Sequence, residues 1–154
     1  MAATNNSPVS YAAITTDNRD LLDRIAVDVF DDDIDADKLD FFLSLPSHRL
    51  VVALADDQVV GQCLGIMTYA VDRRPSLLIE NLGVSPDYRR RGIARELMDQ
   101  MCAWATDLGA EYMWLGSDPE SDTAEAFYRG IGLPMQITPF TEVKLPVTLT
   151  KDPH

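Results

Sequence analysis

One amphipathic stripe constrains this chain more than any other feature. It consists of apolar residues at helical spacing: Ile93, Leu97, Met101, Trp104 and Leu108. Steps of four, four, three and four residues place them on one face of an α-helix. Glycines directly before and after the stripe mark where this helix begins and ends. A helix with one apolar face must cover another apolar surface, so the rest of the chain has to supply one.

The other elements follow from changes in the period of the apolar residues. Extended runs predict strands within 9–15, 75–84, 111–117 and 135–149, and two strands within 49–71 that are joined at Asp56-Asp57. Helical spacing predicts a helix that carries Leu21, Leu22, Ile25, Val29 and Phe30, a second within 37–46 and a last one within 118–133. The order β, α, α, β, β, β, α, β, α, β indicates one α/β domain over residues 1–154, with its core at about 9–146 and short polar tails.

The charge of the chain limits its partners. A formal net charge of −12 and an isoelectric point near 4.3 argue against nucleic acid, which is bound by basic surfaces. No apolar run is long enough to cross a membrane, and the first residues lack the layout of a secretory signal. Cys63 and Cys102 are too few for a disulfide framework or a metal site. We therefore expect a soluble cytoplasmic protein with buried thiols, no metal, and no nucleic-acid or membrane partner.

A run of arginines leads into the long helix, where residues 88–98 read YRRRGIARELM. The first N–H groups of a helix lack internal partners and carry the positive end of its dipole, so a phosphate can bind there. Glycine permits close approach, and arginine side chains offer planar donors for phosphate oxygens. The alternative is a solvated basic helix start that binds nothing. Arginines at this end of a helix are unfavourable unless an anion compensates them, which favours binding.

Two motifs resemble one known family. RRRGIA, residues 89–94, resembles the Arg-x-x-Gly-x-Ala signature of the GNAT superfamily of N-acetyltransferases, and AEAFYRGIGL, residues 124–133, is similar to a later motif of the same family. The order of elements agrees over nearly the whole chain. The resemblance implies an α/β GNAT fold in a single domain, with a mixed central sheet of about six to seven strands flanked by about four helices. It also implies acetyl-CoA as co-substrate and no metal.

The resemblance further implies roles for individual residues. The pyrophosphate of acetyl-CoA would be bound by Arg89, Arg90, Arg91, Gly92, Ile93 and Ala94. A splayed strand beside the pantetheine arm would consist of Leu82, Gly83 and Val84, and the Val84 N–H would polarise the thioester carbonyl. Tyr128 matches the tyrosine that protonates the departing thiolate in many members, although packing in the core is its alternative role. Members often carry Asn where this chain has Ser121, which leaves that pantetheine contact open.

Glu80 is the candidate base. An ammonium group of pKa near ~10.4 must lose its proton before it can attack a thioester, which costs roughly 4 to 5 kcal/mol at pH 7. Glu80 lies four residues before Val84 on the predicted central strand, and an acidic residue within an apolar run needs a reason. A salt bridge to Arg73 or Arg74 is the alternative to catalysis.

The wider stretch IENLGVSPDYRRRGIA resembles aminoglycoside N-acetyltransferases of the same superfamily. In enzymes that act at the 3-amino group the acidic residue would stand at Asn81, whereas those that act at the 6′-amino group have a Glu that matches Glu80. The chain length and GSDPESDTAEAFY are closer to the first type, so 3-N-acetylation is favoured while the regiochemistry stays open. Neighbouring strand residues face opposite sides, so Glu80 and Asn81 can both reach an acceptor only if the strand is distorted.

An acidic run lies between the first two predicted helices, with seven aspartates and one lysine from Asp28 to Asp40. In the family this segment borders the acceptor site, so the resemblance implies that a polycationic substrate contacts Asp31, Asp32, Asp33 and Asp35. The alternative is a solubilising surface.

Three functions remain in competition at this point. The resemblance favours acetylation of a primary amine of an aminoglycoside antibiotic, which is an antibiotic-resistance activity. Another amine, such as a polyamine, a protein N-terminus or a lysine, is the second candidate, and a CoA-binding sensor without catalysis is the third. The tail after Leu145 leaves a homodimer open.

Overall fold

The computed structural model describes residues 6–116, 129–130 and 142–146. Within them lie five strands: β1 (Ser10–Ala13), β2 (His48–Ala55), β3 (Gln58–Thr68), β4 (Ser76–Val84) and β5 (Tyr112–Leu115). Two α-helices lie wholly within the described residues, α1 (Ala36–Leu43) and α2 (Ile93–Asp107), and residues 129–130 are also helical. Short 3-10 helices occur at Arg19–Asp23 and Pro86–Tyr88. The strands hydrogen-bond in chain order, antiparallel from β1 to β4 and parallel between β4 and β5. This mixed sheet with helices matches the predicted α/β class.

The helix predicted to carry Leu21 to Phe30 is wrong. Arg19–Asp23 forms a 3-10 helix, and the chain is extended at Ile25, which forms a parallel bridge with Val59. The Val59 N–H donates to the Arg24 carbonyl, and the Ala26 N–H donates to the Val59 carbonyl, both at 2.8 Å. These backbone groups bond to the sheet, so they cannot close helical turns. The last predicted helix (118–133) and strand (135–149) lie largely outside the described residues, so the full predicted number of strands and helices stays a prediction.

Helix α2 covers one face of the sheet, as its stripe predicts. Ile93, Leu97 and Met101 are buried, whereas Leu108 lies just beyond the helix and is exposed. The core on this face consists of Val51, Ala53, Ala55, Val60, Cys63, Met67, Leu77, Ile79, Tyr88, Ile93, Leu97, Met101 and Ala105. Trp104 is partly buried and packs against the same core, so the stripe is correct over its first four members.

The opposite face is covered by the segment between β1 and β2. The buried residues on this face are Ile14, Leu22, Val29, Leu50, Val52 and Val59. Leu22 and Val29 belong to the stripe for which a helix was predicted, so these side chains are buried although their backbone is not α-helical. The acidic run continues directly from this packed segment.

The β2–β3 hairpin turn has a testable strain. Ala55 pairs with Gln58, and both turn residues, Asp56 and Asp57, have positive φ of 53° and 60°. This conformation favours glycine because an L side chain is strained there. Replacing Asp57 with glycine is expected to raise the free energy of unfolding by about 0.5–1 kcal/mol, measured by urea denaturation. Asp57→Ala is the control, since it removes the charge but keeps the Cβ; an equal gain in both variants would attribute the effect to charge.

The buried thiol of Cys63 predicts a dependence of stability on alkaline pH. Burial raises the pKa of Cys63 to about 12, and the neighbouring Cys102 thiol adds to this. The folded pKa lies above the unfolded value near ~8.5, so the protonated thiol stabilises the fold fully below about pH 8.5 and this contribution is lost as pH rises toward 12. Between pH 9 and 11, the free energy of unfolding of wild type should fall more steeply than that of Cys63→Ala, by up to ~1.4 kcal/mol per pH unit. An equal decrease of the free energy of unfolding with pH in the two proteins would contradict this prediction.

Candidate active site

Strand β4 contains a bulge at Glu80. Ile79 pairs with Gly65 and Asn81 pairs with Leu64, so Glu80 is an extra residue with no partner position on β3. A bulge of this kind sets two residues of one strand opposite one residue of its neighbour. It is the distortion that would allow Glu80 and Asn81 to share a side of the sheet.

The packing on either side of the bulge shows that they do share a face. Ile79 before the bulge and Leu82 after it both pack in the core beneath α2. Side chains alternate between faces along a strand. Glu80 follows Ile79 and Asn81 precedes Leu82, so both face away from α2, toward the side on which the acidic run lies.

The bulge also lies where β4 loses its second neighbour. Ser76–Ile79 pairs with Tyr112–Leu115, and this parallel pairing ends at Ile79. Within residues 6–116, no strand pairs with Asn81 to Val84 on that edge. Among these residues this end of β4 is an open edge, at the place where the resemblance predicts a splayed strand.

Backbone donors point into this open edge. The Ser85 N–H donates to the Val60 carbonyl of β3 at 2.9 Å. Successive N–H groups of a strand point to opposite edges, so the N–H groups of Leu82 and Val84 point away from β3. The Val84 carbonyl points the same way and accepts a 3.4 Å hydrogen bond from Arg89 Nε. The edge therefore offers two N–H donors to an extended ligand.

Residues 89–92, which we call the arginine loop, have a backbone conformation suited to binding an anion. Arg90 and Gly92 have positive φ of 61° and 75°, and α2 begins directly afterward at Ile93. No side chain caps the first turn of α2, and a Cβ built at Gly92 would meet nothing within 4 Å. Left-handed residues at such a turn direct N–H groups into a concave site. Arg89 and Arg90 are exposed beside it, so the residues fit the pyrophosphate of CoA.

The third arginine faces inward. Arg91 Nη2 donates to the Ser7 carbonyl at 2.5 Å, and its guanidinium carbon lies 5.8 Å from the centre of the Tyr88 ring. The Tyr88 hydroxyl donates to Asp56 Oδ2 at 2.5 Å, and the Ser7 hydroxyl donates to Asp56 Oδ1 at 2.6 Å. These contacts attach the arginine loop to the β2–β3 turn and to the N-terminal segment. The Arg91 side chain thus holds the loop, while Arg89 and Arg90 present theirs to solvent.

Glu80 has no salt-bridge explanation in the described part of the chain. Its side chain is exposed, and neither Arg73 nor Arg74 forms an ion pair with it there. An exposed carboxylate on a bulge at the open edge of a central strand is available to an incoming ammonium group. Tyr128, the candidate acid, lies outside the described residues, and so does Ser121.

The acidic run borders a cleft of about 650 Å³. Its acidic lining residues are Asp23, Asp28, Asp31, Asp32 and Asp33. Asp35 has another role, because its carboxylate accepts a 2.9 Å hydrogen bond from the Lys38 N–H and caps α1. Three of the four predicted aspartates therefore line the cleft.

Comparison with known proteins identifies the family. The profile of the acetyltransferase (GNAT) family matches residues 6–133, which is most of the chain. The chain belongs to the GNAT family. Curated relatives of this GNAT chain include an aminoglycoside N(6′)-acetyltransferase type 1 of Salmonella typhimurium, 25% identical over 53% of this chain and 59% of the relative. An uncharacterized N-acetyltransferase of Mycobacterium tuberculosis is 32% identical over 59% of this chain and 56% of its own. The chain thus spans a little over half the length of these relatives.

Solved structures share the fold of this GNAT chain at low identity. An aminoglycoside acetyltransferase from an uncultured soil metagenomic sample, in complex with sisomicin, has 20% identity and a TM-score of 0.71 over 92% of this chain and 97% of its own. The aminoglycoside N-acetyltransferase AAC(6′)-Iy in complex with CoA has 21% identity and a TM-score of 0.71 over 92% of this chain and 98% of its own. A transcriptional regulator from Bacillus halodurans has 18% identity and a TM-score of 0.74 over 89% and 100%.

Sequence reasoning missed two parts of this GNAT site. One is the Tyr88–Asp56 contact, which joins residues 32 positions apart, and the only sequence signal is a tyrosine directly before the arginines. The other is Gln62, a polar residue in the apolar run VVGQCLGIM, which is fully buried. The argument that singled out Glu80 in its apolar run would also have found Gln62. Among the described residues, no helix is long and apolar enough to span a bilayer, and no group of three or more metal-ligating side chains occurs.

Proposed function

We propose that this protein is an acetyl-CoA-dependent N-acetyltransferase that acetylates a primary amine of an aminoglycoside. The observation that carries the proposal is the bulge at Glu80, which sets an exposed carboxylate beside the open edge of β4. Family membership supplies the class of reaction.

The cofactor would be held by backbone groups of this chain. Its pyrophosphate fits the arginine loop and the uncapped start of α2, where Ile93 and Ala94 provide N–H groups. Its pantetheine arm would pair with the open edge at Leu82 and Val84. When bound, acetyl-CoA supplies an activated thioester. The Val84 N–H is suited to donate to the thioester carbonyl oxygen and to stabilise the charge that develops there.

Glu80 would act on the acceptor. An ammonium group cannot attack until its proton is removed, and a carboxylate can take that proton directly or through one water. Glu80 and Asn81 share a sheet face, so the amide of Asn81 can orient the amine that Glu80 deprotonates. Tyr128 remains the predicted acid for the departing thiolate.

The acceptor class is proposed from charge. An aminoglycoside carries several ammonium groups, and the cleft of Asp31, Asp32 and Asp33 provides carboxylates to attract and hold them. A relative and a structural neighbour that are aminoglycoside acetyltransferases support the same class.

The position of acetylation has support in two directions. Chain length favours the 3-amino group, whereas Glu80 and the name of the Salmonella relative favour the 6′-amino group. We adopt the 6′-amino group as the working proposal because Glu80 is an exposed carboxylate at the bulge, while position 81 carries an amide that cannot accept the proton.

The test is CoA release by purified protein given acetyl-CoA and a panel of aminoglycosides, polyamines and lysine peptides. Turnover on aminoglycosides is expected to exceed that on the other amines. A matched pair that differs only in an amine or a hydroxyl at C6′ decides the position, because a 6′-acetylating enzyme turns over the amine alone. Turnover on polyamines or peptides alone would refute the aminoglycoside proposal. CoA binding without any turnover would refute the enzyme and leave the sensor.

A further inference from the structure

Gln62 is a buried polar residue that catalysis does not explain. It lies on β3 with none of its surface exposed, and its side chain is on the face away from α2. Its Nε2 donates to the Val29 carbonyl at 3.3 Å, while its Oε1 has no hydrogen-bond partner among the described residues. Buried polar groups are nearly always fully paired, so a half-paired glutamine needs an explanation.

The explanation lies in what Gln62 holds. On β4 its partner position is Gly83, and an ideal Cβ built there would lie 2.4 Å from the Val29 carbonyl oxygen and 3.5 Å from Gln62 Nε2. The Val29 carbonyl therefore lies in the space that the missing side chain of Gly83 leaves, and Gln62 binds it there. The Val29 side chain is buried, so its segment is attached to the sheet through both side chain and backbone.

The acidic residues lie directly after Val29 in the chain. Asp31 is two residues after Val29, so the chain can carry it at most ~7 Å from that anchor. Gly83 belongs to the same strand as Glu80 and Asn81 and, after the bulge, faces the same side. The bond from Gln62 to Val29 thus fixes the acidic run relative to the proposed base.

We infer that Gln62 is a positioning residue that fixes the acidic segment of residues 29–33 against β4 and thereby sets the preference for multiply charged acceptors; the preference rests on the function proposed above. Gln62 does not touch the substrate. An apolar side chain of the same size would avoid the unpaired Oε1 but could not bind the Val29 carbonyl. A polar side chain at position 62 therefore fixes the position of the Val29 segment and does not add to the stability of the fold.

The test compares Gln62→Met with Gln58→Met, the same change on the same strand, at a partly exposed position where β3 begins. Gln62→Met is expected to raise the KM for a polycationic aminoglycoside about tenfold, the scale of one lost hydrogen bond. The KM for acetyl-CoA should change by less than about twofold, and stability should be retained because the unpaired acceptor is removed as well. Hydrogen exchange of the Ala26 amide, which bonds to the Val59 carbonyl at 2.8 Å and lies three residues before Val29, should accelerate by about tenfold, with the amides paired between β2 and β3 unchanged.

Two results would overturn the inference. One is unchanged exchange at the Ala26 amide together with an unchanged acceptor KM. The other is faster exchange throughout β2 and β3, which would make Gln62 a general core residue. If Gln62→Met does not fold, Gln62→Leu replaces it in the same comparison. If wild type acetylates no aminoglycoside, the proposed function and the acceptor preference fail, and the exchange experiment alone decides whether Gln62 positions the segment.

Discussion

Replacing Glu80 with glutamine is expected to lower kcat about 100- to 1000-fold while the KM for acetyl-CoA stays within about twofold. The amide keeps the size and hydrogen-bonding reach of the side chain but cannot accept a proton from the ammonium group. The proposed cofactor contacts lie beyond the bulge, on Leu82, Val84 and the arginine loop, so the substitution leaves them intact. Stopped-flow or steady-state detection of released CoA measures the change. Glu111→Gln, at another exposed glutamate, is the matched control and should retain full activity.

The pH profile separates loss of a base from loss of structure. Without a base, the reaction depends on the small fraction of neutral amine, which grows about tenfold per pH unit below the amine pKa. The rate of the Glu80→Gln variant should therefore rise toward the wild-type rate as pH increases from 7 to 9. A variant that stays equally impaired at every pH would contradict the assignment of Glu80 as base. Full activity at pH 7 would remove Glu80 from the mechanism altogether.

A methyl group at Gly83 is expected to destabilise the fold by about 2–3 kcal/mol. The new Cβ would lie 2.4 Å from the Val29 carbonyl oxygen, and a backbone atom cannot rotate out of the way as a side-chain end can. Either β4 or the segment that leads into the acidic run must move. The free energy of unfolding from urea denaturation, with the acceptor KM measured alongside it, reports both consequences.

Gly65→Ala is the matched control for this prediction. Its Cβ would come within 2.5 Å of Met101 Sδ, which is the flexible part of a side chain, so the cost is expected to be about 1 kcal/mol. It lies on the α2 face, so it should leave the acceptor KM unchanged. Equal losses of stability in the two variants would mean that the Val29 carbonyl is displaced as easily as the Met101 side chain.

The sequence correctly predicted elements in which apolar residues recur at a regular spacing over many residues. The α2 stripe and its bounding glycines gave that helix to within two residues, and the two aspartates of the hairpin gave its turn. The first predicted helix failed because the spacing of Leu22, Ile25 and Val29 records only that all three pack in or against the core. Whether such a segment is helical depends on a partner far along the chain, here Val59, and local spacing contains no information about that partner.

The site was predictable in its residue types but not in its geometry. Three successive arginines are indistinguishable as letters, yet Arg91 binds the Ser7 carbonyl while Arg89 and Arg90 are exposed. Similarly, period-two alternation would have set Glu80 and Asn81 on opposite faces, and only the register with β3 reveals the bulge that joins them. Contacts between distant parts of the chain decide both outcomes.

The bulge has a consequence for how enzymes of this design can change over evolutionary time. It turns the side chains of Glu80 and Asn81 to the face proposed for the acceptor, whereas the proposed cofactor contacts of β4 are backbone N–H groups. Mutations in the acidic segment act on that face through side chains, whereas the backbone edge at Leu82 and Val84 depends on no particular side chain. A lineage can therefore exchange one amine for another by altering surface carboxylates, and its use of the acyl donor is inherited unchanged.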